Sequence, residues 1–183
     1  MGNGLGNTSR RAARCRGLQL ADSRLYADAM QEDQATVIVS AWSQAAYRQP
    51  KAWDLPFDEA ARTVRPLPES SLWAISSDAR CLWLLSPDET FYTVSVSEDL
   101  TTCSTSTLPL SGARLSVDRV EGSSRMQRDV LAVRETDWTF KADGQEFLSL
   151  TGATMTDQVR GTTTSDPRQA LAEAVAALVD RSA

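Results

Sequence analysis

Two periodicities meet in this chain, and their order limits what it can become. Residues 72–151 read as one short strand after another, and residues 165–182 read as a single capped amphipathic helix. Strands that come first and a helix that follows predict an α+β fold, with an antiparallel sheet closed by the helix.

The strand signals are local. Leu72–Ile75 and Cys81–Leu85 flank a turn at Ser76–Arg80, and Pro87-Asp88-Glu89 leads into Thr90–Ser97, where apolar and hydroxyl residues alternate. Glu98-Asp99 turns into Thr101–Leu108, and Arg114–Glu121 follows through Leu115 and Val117. Gly122-Ser123-Ser124 reads as a loop before Asp129–Arg134. Asp137–Ala142 and Glu146–Leu150 flank Asp143-Gly144, a hairpin signal because both central positions take positive φ. That makes about seven short strands, in a sheet or a partly open barrel. In the last helix Asp166 caps, Pro167 takes the first helical position and Gln169 is placed to close a capping box. Leu171, Val175, Leu178 and Val179 form its apolar stripe.

Three segments divide the sequence. Residues 1–17 hold Arg10, Arg11, Arg14 and Arg16 with almost no apolar content, which predicts a flexible basic tail. Residues 18–69 read as a helical segment and a proline-rich connector, with a helix through Leu25–Met30 and a short one at Asp58–Arg62. Thr36–Trp42 has strand-like β-branching but helix-like spacing of Ile38, Trp42, Ala45 and Ala46, and the helix is favoured because no breaker occurs before Pro50. Residues 70–183 form the strand-rich domain with its closing helix.

Charge and composition exclude several chemistries. Residues 17–183 carry 15 basic and 24 acidic groups, a net of −9, which opposes nucleic-acid binding. The longest apolar run, Cys81–Leu85, is too short to span a bilayer, and the basic start is followed by no apolar leader, which together predict a cytoplasmic protein. Without histidine, a Ser or Cys nucleophile has no imidazole base. Cys15, Cys81 and Cys103 lack metal-ligand spacing, so neither a metal nor a cofactor is expected. Cys81 and Cys103 fall where neighbouring strands would let them face one another, although buried free thiols are the simpler reading. The remaining catalytic option is a carboxylate pair from Asp88-Glu89, Glu98-Asp99 or Asp54 with Asp58 and Glu59, as in a small histidine-free hydrolase.

One stretch stands apart. From Cys81 to Ala113 there is no basic residue, and Thr101, Thr102, Ser104, Thr105, Ser106 and Thr107 cluster there. Hydroxyl residues of good β propensity with little to bury predict an edge strand or an exposed face. A protein partner that adds a strand to that edge is the functional expectation. Trp42 and Trp53 lie outside the strand block and are candidates for docking the N-terminal segment, or a partner, onto it. The leading function is therefore a non-catalytic protein-interaction module, an adaptor, chaperone or assembly component. The sequence leaves its oligomeric state open.

The order of elements over residues 70–182 resembles a pleckstrin-homology-like domain. That resemblance implies a bent sheet plugged by Leu171, Val175 and Leu178, and a binding role. The closing helix lacks the tryptophan typical of the eukaryotic family, and the first hairpin turn offers only Arg80, so phosphoinositide binding is not implied. Helix, strands, helix also resembles the small chaperone-like domains that hold secretion substrates.

The charge distribution predicts that the protein does not bind duplex DNA at physiological salt, and that any binding at low salt depends on Arg10–Arg16. Salt-resistant binding in a gel-shift titration by a chain lacking residues 1–16 would overturn this.

Overall fold

Among its described residues the chain forms three helices and nine strands. A computed structural model describes residues 33–69, 71–127 and 130–182. The basic tail and the helix expected through Leu25–Met30 lie outside those residues.

Helix α1 (Gln34–Tyr47) begins where the side chain of Asp33 accepts from the Ala35 amide. Its buried residues, Ala35, Ile38, Val39, Trp42 and Ala46, recur at helical spacing. Residues 36–42 are thus helical despite their β-branching, because that spacing lets one face be buried. Helix α2 (Phe57–Val64) follows Pro56 and buries Ala60 and Val64 against the same core.

Strands β1 (Leu72–Ile75), β2 (Cys81–Leu85), β3 (Thr90–Val96) and β4 (Cys103–Pro109) form an antiparallel meander in that spatial order. Its two faces serve two cores. Leu82, Leu84, Val94 and Val96 pack with α1 and α2. Ala74, Leu85 and Phe91 face the other way. Cys81 pairs with Ser95 and Cys103 with Val96, so the two thiols sit on opposite faces with β3 between them. They do not face one another, and both are free.

A second sheet holds β5 (Leu115–Glu121), β6 (Arg125–Gln127), β7 (Leu131–Ala142), β8 (Gln145–Asp157) and β9 (Thr162–Ser165). Strands β5 and β6 lie end to end along β7, separated by the excursion at Gly122–Ser124. The β7–β8 ribbon turns at Asp143-Gly144 with φ of 51° and 81°, as the sequence predicts. The architecture is two sheets, of four and five strands, with no barrel closure. The expected Asp129–Arg134 and Asp137–Ala142 strands belong instead to one strand over their described residues, and β8 continues seven residues past Leu150.

A bulge joins the sheets. Pairing shifts after Phe140, which faces Leu148 while Lys141 faces Glu146, so Phe147 is the extra residue. Phe147 reaches Phe91 of the first sheet edge-on at 5.3 Å and Phe140 at 6.3 Å. Phe140 in turn stacks on Trp138 at 5.8 Å.

Helix α3 (Pro167–Ser182) completes this second core with Leu171, Ala172, Val175 and Leu178, packing on strands of both sheets. The helix therefore joins two sheets rather than plugging one bent sheet. Asp166 caps it by accepting from the Gln169 amide at 2.7 Å. Gln169 does not close a capping box. The Asp166 amide is taken by the Ala153 carbonyl at 2.9 Å, and the Gln169 side chain turns into the core. There it accepts from the Trp138 indole at 3.0 Å and donates to Glu173 at 2.8 Å.

That arrangement requires a glycine in β8. A Cβ on Gly152 would lie 2.6 Å from the Gln169 Cα and 2.8 Å from its Cβ. Gly152→Ala should lower stability by about 1–3 kcal/mol, read from the midpoint of urea unfolding. An unchanged midpoint would show that α3 moves away from β8 without cost.

Candidate functional site

Strand β4 is an outer edge of the first sheet, as the hydroxyl-rich sequence predicts. Ser104, Thr105, Ser106 and Thr107 are exposed on both faces of the strand, and Thr101 and Thr102 are exposed in the turn before it. The Ser97 amide donates to the Thr102 carbonyl at 2.9 Å, which makes that pair the hydrogen-bonded end of the hairpin. Alternation then directs the backbone groups of Ser104 and Ser106 to β3 and those of Cys103, Thr105 and Thr107 outward. No residue of β4 carries a charge, and Pro109 ends the outward row of donors.

The two tryptophans have different places. Trp42 has no exposed surface, and its indole donates to the Ala79 carbonyl at 2.6 Å. It fastens α1 to the β1–β2 turn, one of the two roles that its position allowed, and it leaves no surface for a partner. Trp53 is half-buried on the same core, with the Arg80 guanidinium 4.8 Å from its ring centre. The indole lines a shallow surface depression with Tyr47 and Arg48, and Tyr47 is 72% exposed. Trp53 stacks on Arg80, whose guanidinium donates to the Ser97 carbonyl at 3.4 Å at the β3–β4 turn, but among the described residues no hydrogen bond or ring contact joins Trp53 to the β4 hydroxyls.

The acidic turns have a structural task. Ser76-Ser77-Asp78, Ser86-Pro87-Asp88 and Ser97-Glu98-Asp99 repeat one motif in the three hairpins of the meander. In each, the serine hydroxyl donates to the aspartate two residues on. The next residue, Ala79, Glu89 or Leu100, has φ near 60° and bonds back to the serine carbonyl. These serine bonds hold the carboxyls of Asp78, Asp88 and Asp99 below the ordinary value of 3.8. A general acid at neutral pH needs the opposite shift. Glu89 pairs with Arg181 at 3.1 Å and Glu59 with Arg62 at 3.0 Å. Burial, then the negative charge of Glu59, raises the Cys103 thiol, which disfavours the reactive thiolate. Among the described residues no cluster of three His, Cys, Asp or Glu side chains is arranged to hold a metal ion.

The sequence gives no signal for a polar groove of about 430 Å³ on the second sheet. Its floor is the part of β7 and β8 that α3 leaves bare, including Arg134, Thr136, Thr154 and Thr156. Arg119 of β5 forms one side, and Gln169 and Glu173 of α3 form the wall. These residues are drawn from positions 119 to 173 of the chain, and strand pairing together with the packing of α3 brings them together.

No family model, curated protein or solved structure matches the chain.

The three turn aspartates set a pH dependence. Each carboxyl is lowered in the native state, so its contribution is complete above the ordinary value of 3.8 and is lost as pH falls through the depressed native value. A Ser76→Ala, Ser86→Ala, Ser97→Ala variant should therefore be less stable than wild type by most at neutral pH. The gap should narrow towards about pH 2 in urea midpoints measured across pH. A gap of constant size would show that these hydroxyls do not stabilise the charge.

Proposed function

We propose that this protein is a non-catalytic interaction module, an adaptor, chaperone or assembly component, that takes up an extended segment of a protein partner on the β4 edge. The observation that carries the reading is an uncharged seven-residue edge strand whose outward backbone groups meet no neighbouring strand among the described residues. Native proteins usually blunt such edges with charge, bulges or cover. Here Pro109 closes one end, α2 packs against the strand on the Cys103 side, and hydroxyls keep the exposed residues hydrated. A partner strand would exchange water on those amides and carbonyls for a ladder, and the side-chain rows of Thr105 and Thr107 or Ser104 and Ser106 would set its register. The net charge of −9 over residues 17–183 favours a partner segment that carries basic residues. No helix of the described residues is long and apolar enough to cross a membrane. A cytoplasmic place of work belongs to the same proposal.

Thr105→Pro tests this. The substitution removes an outward N–H that β3 does not use, so the change in stability should stay within about 0.5 kcal/mol. Partners recovered by affinity capture from the native host and identified by mass spectrometry should be retained by wild type and Thr105→Ser, and lost with Thr105→Pro. Equal capture by a folded Thr105→Pro variant would remove the β4 edge from the interaction.

A further inference from the structure

The groove on the second sheet lies on a different sheet from β4 and carries its own chemistry. We propose that it binds a small soluble molecule bearing one oxyanion, a phosphate or a carboxylate, together with hydroxyl groups.

Four observations lead there. The first is Thr136 on the groove floor. It is 3% exposed, and its hydroxyl bonds to no described residue. No fully enclosed side-chain polar atom lacks a partner among the described residues, so the little surface that this hydroxyl keeps opens into the groove. A hydroxyl so placed can donate to, or accept from, a molecule lying in the groove.

The second is charge. Arg119 and Arg134 share one carboxylate, Glu121, at 2.6 and 3.4 Å, and remain 49% and 56% exposed. Two guanidiniums against one carboxylate leave a positive charge at this end, with N–H groups free for an oxyanion. Arg119 is held in place over the Trp138 ring at 4.8 Å. On the opposite wall Glu173 is exposed and offers an acceptor. The anion therefore lies towards β5 and the ligand hydroxyls towards α3.

The third is register. Arg134 pairs with Thr154 and Ala132 with Thr156, which puts both threonines on the groove face behind the arginine. The Thr154 hydroxyl extends the row that begins at Thr136, and the Thr156 hydroxyl shares a hydrogen bond with Thr163 at 3.2 Å. The fourth is rigidity. The Gln169 wall is fixed by the Trp138 indole and by its own capped amide, so little ordering remains when a ligand arrives. The volume is that of a small-molecule site. The net charge of −9 over residues 17–183 disfavours polyanions and charged bilayers, which leaves a single small anion.

Isothermal titration calorimetry on the full chain tests this with three probes: glucose 6-phosphate, glucuronate and glucose. The two anionic sugars should bind saturably, at least about tenfold more tightly than glucose. Arg134→Gln and the isosteric Thr136→Val should each weaken them by about tenfold, with circular-dichroism melts confirming the fold. Arg62→Gln, on α2 and outside the groove, should change nothing. Co-sedimentation with phosphatidylserine vesicles should be negative. The proposal is overturned if neither anionic sugar saturates below about 10 mM, if glucose binds as well as they do, or if both groove variants bind like wild type. Vesicle binding that the groove variants reduce, without sugar binding, would assign the site to a lipid headgroup and overturn it too.

Discussion

The close approach of α3 to β8 governs the second core. At Gly152 the helix comes nearer than any side chain on the strand would permit. That distance puts the Gln169 amide within reach of the Trp138 indole and lets Ala172 and Val175 pack with no exposed surface. A buried amide left without its partner costs several times what the bond itself contributes. Glycine in the strand, glutamine on the helix and tryptophan on the next strand are therefore one device. The device also places Glu173 at the edge of the groove, so packing and the candidate ligand site share a wall.

Legibility followed burial. Strands β1 and β2 have the bounds that alternation assigns them, since each packs apolar residues on both faces of the first sheet. The Asp143-Gly144 turn was readable because few sequences tolerate two successive positive φ values. The far half of β8, Thr151–Asp157, mixes threonines with Gly152, Ala153 and Met155 and is mostly half-buried on both faces, so it has no period to read, and the four residues of β9 are all exposed. The capping box failed for a tertiary reason: Ala153 took the amide that Gln169 would have served. Of the candidate site residues, the β4 hydroxyls were legible as an edge, because composition alone reports solvation. Trp42 was legible only as an aromatic outside the sheet; its hydrogen bond to Ala79 needed the fold. The groove residues were invisible, since register, not local pattern, assembles them.

The three Ser-x-Asp turns show how one solution recurs where a meander repeats. Each places a non-glycine residue in the left-handed region, a conformation that costs roughly 1–2 kcal/mol. The serine and aspartate side chains bond the turn locally and offset that cost. Trp42 then seals the first of these turns, which explains why Ala79 is fully buried while its counterparts Glu89 and Leu100 are not.

The position of α3 in the chain has a consequence for biogenesis. The two sheets meet through Phe91 and Phe147, and among the described residues the helix that covers the apolar surface between them follows both. A ribosome therefore releases two half-covered sheets before it has made their common lid. Until the last turn of α3 emerges, Leu85, Phe91, Leu148 and Leu150 present a sticky seam that neighbouring nascent chains can join. Synthesis in which the second sheet pauses would extend that interval, whereas a pause before β5 would expose only the first sheet. The order of elements thus makes the sixteen residues of α3 the step that joins the two sheets into one core.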